Sequence, residues 1–364
     1  MAQPWTPAAR QSRPATINDL KLDHFNAMMT DIGIWQHGLG QAPDIRHGYS
    51  IDDVARALIV ALRYLEQDYE PSFFNTVAST CFRFLENAAV SDGEAAGRFH
   101  NFSDLNGKWL DSIGSDDSIG RTVWALGVTA GSKSKVAAVD IAEKLLRRAL
   151  PICDTLEPIR SKAFSILGLT ECGMPDAAPT VKRLADSLVD AFDHYSSDGW
   201  RWFDDHMTYC NARMPQALFA AYQMLPSERR YVSVASDALD FLLKSTQNEK
   251  GSYAPIGNAP MAAGRWFKRG DYRPPLFDQQ PVDAGATVES CALAYEVTAE
   301  PRFRNAAYAA YGWYFGDNIH GLSVYDPSNG GVCDALTPTG LNCNMGAESV
   351  LSIHLAAQAL ARLE

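Results

Sequence analysis

Apolar positions recur at helical spacing along almost the whole chain, and they do so in two alternating styles. Lys133–Leu150 shows the first. Val136, Val139, Ile141, Leu145, Leu146 and Ala149 are apolar, while Lys135, Asp140, Glu143, Lys144, Arg147 and Arg148 are charged. One apolar stripe on a charged rod predicts a surface helix. Ile17–Gly33, Ser72–Ala89, Ala177–Tyr195, Arg229–Thr246 and Arg302–Phe315 read the same way. The second style is apolar nearly all round and rich in alanine, as in Val54–Leu65 and Ala347–Leu360. Ile119–Ala130, Ser161–Thr170, Ala212–Leu225 and Ala284–Val297 are related runs. A helix without a polar face is buried on most sides. Only Gly251–Ile256 and Gly321–Tyr325 look like short strands.

The two styles alternate, outer then inner, six times, with a period of roughly 50–60 residues. A repeating helical hairpin of this kind predicts an all-α fold, an (α/α)6 toroid with buried inner helices and amphipathic outer ones. One ring uses all of residues 17–364 as a single domain. Residues 1–16, polar and Pro-rich, are predicted to be a flexible arm without the apolar core of a secretory signal. Inner-to-outer connections are short, for example Gly131–Ser132 and Pro226–Glu228. Outer-to-inner connections are long: Ile34–Ser50, Val90–Ser118, Ser196–Asn211, Gln247–Val282 and Gly316–Asn344. Long loops inside a compact domain are usually functional. In a ring they share one face with the inner-helix N-termini.

Composition narrows the function classes. The 364 residues are 46% hydrophobic and 21% charged, with a formal net charge of −11. No basic cluster suits nucleic acid, and no apolar run is long enough to span a bilayer. The seven cysteines contain no Cys-x-x-Cys pair, and a reducing cytoplasm is the simplest compartment for them. No His-x-x-x-His spacing, Gly-x-Gly-x-x-Gly fingerprint, Walker loop or Gly-x-Ser-x-Gly elbow occurs. Neither metal nor cofactor is therefore expected.

The loop face holds most of the unusual chemistry. Trp35, Trp109, Trp200, Trp202 and Trp266 fall there with Tyr49, Phe99, Phe102, Tyr253, Phe267 and Tyr272. Such rings either offer platforms for sugar C–H faces or pack the loops into small cores. Trp124 and Trp313 are expected in the core. Acids gather at inner-helix starts: Asp52-Asp53 with Arg56, Asp116-Asp117 with Arg121, Asp204-Asp205 with Arg213, then Asp283 with Glu289, and Asp334 with Glu348. Any one of them could simply cap its helix. Three Asp-Asp pairs converging on one mouth suggest more. Adjacent carboxylates raise each other's pKa and an arginine lowers it, so one acid can stay protonated while another is ionised. Glycosidic cleavage needs that combination. His37, His47, His100 and His206 also lie on the loop face, and His354 is expected as a satisfied core histidine.

Seven motifs carry a family resemblance. They are G-Y-S-I-D-D-V-A-R-A-L (48–58), R-F-H-N-F (98–102), G-S-D-D-S-I-G-R-T-V-W-A-L-G (114–127), W-F-D-D-H-M-T-Y-C-N-A-R-M-P-Q-A-L (202–218), D-Q-Q-P-V-D-A (278–284), Y-D-P-S-N-G-G (325–331) and N-M-G-A-E-S (344–349). Together they resemble a bacterial family of six-hairpin toroids, often found beside or fused to glycosyltransferases, within the six-hairpin glycosidase-like superfamily. Val54 stands where that family is expected to have Asn. The resemblance favours Asp53, Asp117, Asp205, Asp283 and Glu348 among the acids. It implies Asn101, Asn211, Gln279, Gln280 and Asn344 as partners for sugar hydroxyls, and Arg56, Arg121 and Arg213 as groups that orient carboxylates. Asp52, His100, Trp109, Asp116 and Trp202 complete the expected substrate contacts.

The leading expectation is a glycoside hydrolase acting on an oligosaccharide. Asp117 and Glu348 are the first choice for the acid/base couple, and Asp53 and Asp283 are the rivals. A non-catalytic glycan-binding scaffold for a glycosyltransferase is the alternative. A sugar epimerase or isomerase is a third reading, though it usually wants paired histidines over the cavity.

Overall fold

The computed structural model describes residues 19–135, 137–249, 251–258 and 266–364. The expected arm over 1–16 lies outside them, as do Ile17 and Val136. Twelve α-helices are described: α1 (Asp23–Met28), α2 (Ile51–Glu66), α3 (Pro71–Ala88), α4 (Asp116–Gly131), α5 (Val139–Cys153), α6 (Ile159–Glu171), α7 (Ala178–Tyr195), α8 (Arg213–Met224), α9 (Arg229–Ser245), α10 (Pro281–Thr298), α11 (Pro301–Gly312) and α12 (Ala347–Ala361). The even-numbered helices pack in sequence, and α12 returns to α2, so the inner ring is closed. Each of α3, α5, α7, α9 and α11 packs outside the inner helix before it, and α1 covers α12. The tight hairpins therefore run inner-to-outer across the short loops. Among the described residues no helix is long and apolar enough to cross a membrane.

Local chemistry explains the helix starts. Ser50 Oγ accepts from the Asp52 N–H at the start of α2, and Ser115 Oγ accepts from the Ser118 N–H at the start of α4. Each cap is followed by two aspartates in the first turn, which meet the positive end of the helix dipole. Pro281 opens α10, where its missing N–H costs nothing.

The first outer helix is much shorter than Ile17–Gly33. Thr30 Oγ1 accepts from the N–H groups of Ile32 and Gly33, and this side-chain turn ends α1 at Met28. The two β-like runs form no strand and contribute isolated bridges, among them Gln247 to Tyr253 and Tyr325 to Val332. The described strands are four short antiparallel pairs on the loop face. They are β1 (Gly38–Leu39) with β2 (Ala42–Pro43), β3 (Tyr49–Ser50) with β4 (Phe102–Ser103), β5 (His206–Met207) with β6 (Phe267–Lys268), and β7 (Ala335–Thr337) with β8 (Gly340–Asn342).

Candidate active site

The inner helices point their N-termini into a common bowl, and side-chain contacts cross it. Arg56 Nη1 lies 2.7 Å from Asp53 Oδ1, and its Nη2 lies 2.5 Å from Glu348 Oε2, joining α2 to α12. Arg121 on α4 approaches Asp52 on α2, Nε to Oδ2 3.4 Å. On the far side, Ser161 Oγ and Tyr209 OH donate to the two oxygens of Asp117 at 2.6 and 2.5 Å. The Cys210 N–H donates to Asp283 Oδ1 at 2.8 Å. Asp52, Asp53, Asp117, Asp283, Glu348, Arg56 and Arg121 thus share one site.

Burial sets the charge states. It pushes the Asp53 carboxyl up to about 7, against the pull of Arg56 and with a further push from Glu348 and Asp52. It likewise lifts Asp283 to about 7, which the Cys210 N–H opposes and Glu348 reinforces. Asp52 is raised for the same first reason, with Arg121 and Arg56 opposing. Glu348 is the open carboxyl of the set, with 43% of its side chain exposed. Among the described residues, buried polar atoms without a hydrogen bond also collect here: Asp52 Oδ1, Asn101 Oδ1, Thr208 Oγ1 and Asn258 Oδ1, with Arg121 Nε and Arg160 Nε held only by ion pairs. Buried polar atoms without partners are rare in folded proteins, and their concentration at one mouth fits a site that water or ligand completes.

Other expected site residues sit elsewhere or do other work. Asp205 is 60% exposed and pairs with His206 at 2.5 Å, so the third Asp-Asp pair stands on the loop, eight residues before α8 begins. Asp204, Asp205 and His206 bring ligand atoms within 4.8 Å of one another, the one such group found among the described residues. Arg213 turns inward, donating to Glu289 and Gln216 and lying over Trp124. Glu289 is buried below the bowl; burial alone would raise its carboxyl, but Arg213 and Arg63 outweigh that and hold it low. Gln279 is held between Trp313 Nε1 and the Leu276 carbonyl and is fully buried, so it presents no surface to a ligand. Asn344 Oδ1 accepts from the Gly40 N–H, tying the first long loop to α12.

Asn211 closes a turn on Thr208 through its side chain and supports Asp283 only through its backbone. Gln280 bonds the Asn258 amide. Asn101 accepts from the Ile51 N–H at the start of α2, while Asp116 meets Arg98 at 3.3 Å on the rim. Asp334 caps α12 through Gly346 and Ser349, and burial lifts it to about 6.

The aromatic rings act mainly as loop cores. Trp202 is 1% exposed and packs on Phe203. Trp109 lies against Phe84 and His100, Trp35 stacks on Tyr49, and Trp200, Phe99, Tyr253 and Phe267 are buried. Trp266 is half-buried, and only Phe102 and Tyr272 are exposed. Trp124 and Trp313 are core residues, and His354 is buried against Tyr64 OH at 2.8 Å with its pKa lowered by burial to about 3.

Sequence reading passed over Tyr209, Cys210 and Arg160. The Arg160 guanidinium lies 4.0 Å over the Tyr209 ring and 3.9 Å from Asp117. The signal was available: α6, like α8, carries an arginine and no acid in its first turn. Cys210 has φ 49°, a left-handed conformation that costs a non-glycine residue about 1–2 kcal/mol. That conformation accompanies the N–H bond to Asp283. His37 also approaches the site, since Glu348 acts on its charge and its ring meets His47 at 4.7 Å.

No family model and no curated protein matches the chain. Solved structures do. A D-mannose isomerase aligns with TM-score 0.72 at 12% identity, over 97% of this chain and all of that one. A cellobiose 2-epimerase from Bacillus thermoamylovorans aligns with TM-score 0.71 at 12% identity, over 94% and 96%. An inactive variant of an α-1,6-mannanase from a Salegentibacter species also aligns, with TM-score 0.63 at 11% identity, over 96% and 98%. Two consecutive aspartates are replaced by alanine in that variant, which is bound to α-1,6-mannotetrose. With the closed ring of inner helices, these likenesses establish the architecture: the chain is an (α/α)6 toroid.

Proposed function

We propose that the bowl is the active site of a carbohydrate-active enzyme, and that the enzyme is a glycoside hydrolase. Asp283 is the general acid and Glu348 the base or nucleophile opposite it. One observation carries this reading: a buried carboxyl lifted to about 7 shares a mouth with an open carboxylate held by Arg56. The first protonates a leaving glycosidic oxygen; the second attacks the anomeric carbon or activates water. Asp117 becomes a positioning residue, because Ser161 and Tyr209 hold its two oxygens at 2.6 and 2.5 Å, whereas Asp283 Oδ2 has only the Asn258 amide at 3.5 Å. Incubation with α-1,6-mannotriose, cellobiose and a wider oligosaccharide panel should release shorter sugars. Asp283→Asn and Glu348→Gln should each lower kcat by 10²-fold or more while the fold, read by circular dichroism, is kept. Full turnover in either folded variant rejects its role.

A second reading, a sugar epimerase or isomerase, draws on the His37–His47 pair beside Glu348 and on the names of two similar structures. The same incubations separate the two. An isomer of unchanged mass favours epimerisation, and loss of that activity in His37→Gln would assign the base.

A further inference from the structure

The toroid has a second mouth, at the opposite end of the ring axis from the bowl. A cavity of about 510 Å³ opens there, lined from all six inner helices near their C-termini. Its volume is in the range of small-molecule sites. Three carboxylates line it, Glu66, Glu171 and Glu296, against two guanidiniums, Arg63 and Arg362. Both guanidiniums are already engaged. Arg63 meets Glu171 at 3.2 Å and the buried Glu289 at 3.3 Å, and Arg362 meets Glu296 at 2.9 Å. The helices that end here add the negative ends of their dipoles, about half a charge each. The local field therefore favours a cation.

Gln358 supplies the independent pointer. It is 1% exposed and lines the cavity. Its Nε2 donates to the Val60 carbonyl at 2.9 Å, which fixes the amide, and its Oε1 finds no donor among the described residues. A buried acceptor left unmet is destabilising, so an N–H donor from a ligand is favoured there. We infer that this lower mouth is a binding site for a small protonated amine, whose ammonium sits among Glu66, Glu171 and Glu296 and donates to Gln358. An anion would meet three carboxylates against two guanidiniums that are already engaged, together with the helix carbonyls. A neutral polyol would satisfy Gln358 but gain nothing from the field. The site is separate from the bowl and does not depend on what the bowl does.

Three isosteres of one length test this by calorimetry at low salt: putrescine, 1,4-butanediol and succinate. Putrescine should bind with one-to-one stoichiometry, and the diol and the dicarboxylate should bind at least tenfold more weakly. Glu66→Gln, an exposed rim change that cannot disturb the core, should weaken putrescine about threefold to tenfold, and Gln358→Leu tenfold or more. Glu348→Gln, in the bowl, should leave putrescine affinity unchanged. Equal affinity for the three compounds, tighter binding of succinate, or no putrescine heat would overturn the site. So would putrescine binding that is lost in Glu348→Gln and kept in Glu66→Gln, since that amine would sit in the bowl.

Discussion

Asp283 shows how much a single residue's surroundings decide. Its carboxyl opens α10, where a first-turn acid is ordinarily an ionised cap. Here burial outweighs the Cys210 N–H, and the folded pKa of about 7 stands above the ordinary 3.8. The folded protein therefore holds the proton more tightly than the unfolded chain. That contribution to stability is complete below about pH 4 and is lost as pH rises through 7. The slope is about 1.4 kcal/mol per pH unit for one group in that window. Asp283→Asn should flatten urea-derived stability against pH by that amount between pH 4 and 7. A slope unchanged from wild type would mean that Asp283 is ionised in the folded state. At this scale the sequence showed which residue types gather at the mouth, because acids beside helix starts are visible in one dimension. It did not show their bonding. Asp117 and Asp283 look alike in the chain, yet one has both oxygens occupied by Ser161 and Tyr209 and the other is desolvated. Trp202 reads as a platform because an apolar ring has the same letter in a loop core as on a binding surface.

Among elements, the inner helices were the most legible. Burial against two neighbours and an outer helix removes the polar face, so the pattern itself declares the environment. The first outer helix was legible only in part, since a threonine side-chain turn competes with helix without changing the apolar spacing. Close approach was not legible at all. Helices α4 and α6 touch through glycines: a Cβ on Gly168 would stand 2.3 Å from the Val123 carbonyl oxygen, and one on Gly127 2.0 Å from the Gly168 oxygen. Those partners are backbone atoms and cannot swing aside. Gly168→Ala must push the two helices apart, at a cost of about 1–3 kcal/mol by analogy with overpacked cores. The same two helices carry Asp117 and Ser161, so their separation also loosens one wall of the bowl. Thermal unfolding should show the loss as a lowered Tm; an unchanged Tm would mean that the ring absorbs the methyl without strain.

The molecule as a whole is joined along its axis by charge as well as by apolar packing. Glu289 on α10 is 1% exposed, with Arg213 of α8 on one oxygen at 2.5 Å and Arg63 of α2 on the other at 3.3 Å. Both guanidiniums lie over Trp124 of α4, and Arg63 continues to Glu171 of α6. Five of the six inner helices thus meet in one cluster between the two mouths, buried except at Glu171, whose side chain is 39% exposed. Such a cluster is worth little against a well-packed apolar replacement, but removing one partner leaves an uncompensated charge. Arg213→Met should therefore destabilise the fold by about 3–5 kcal/mol in urea unfolding, with Glu289 left to Arg63 alone. Adding Glu289→Met should recover much of that loss, because the charge itself is then gone and Arg63 still has Glu171. Recovery would identify the cost as electrostatic. A double variant as weak as the single one would instead assign it to the packing of Arg213 on Trp124, and the axis would be held by shape rather than charge.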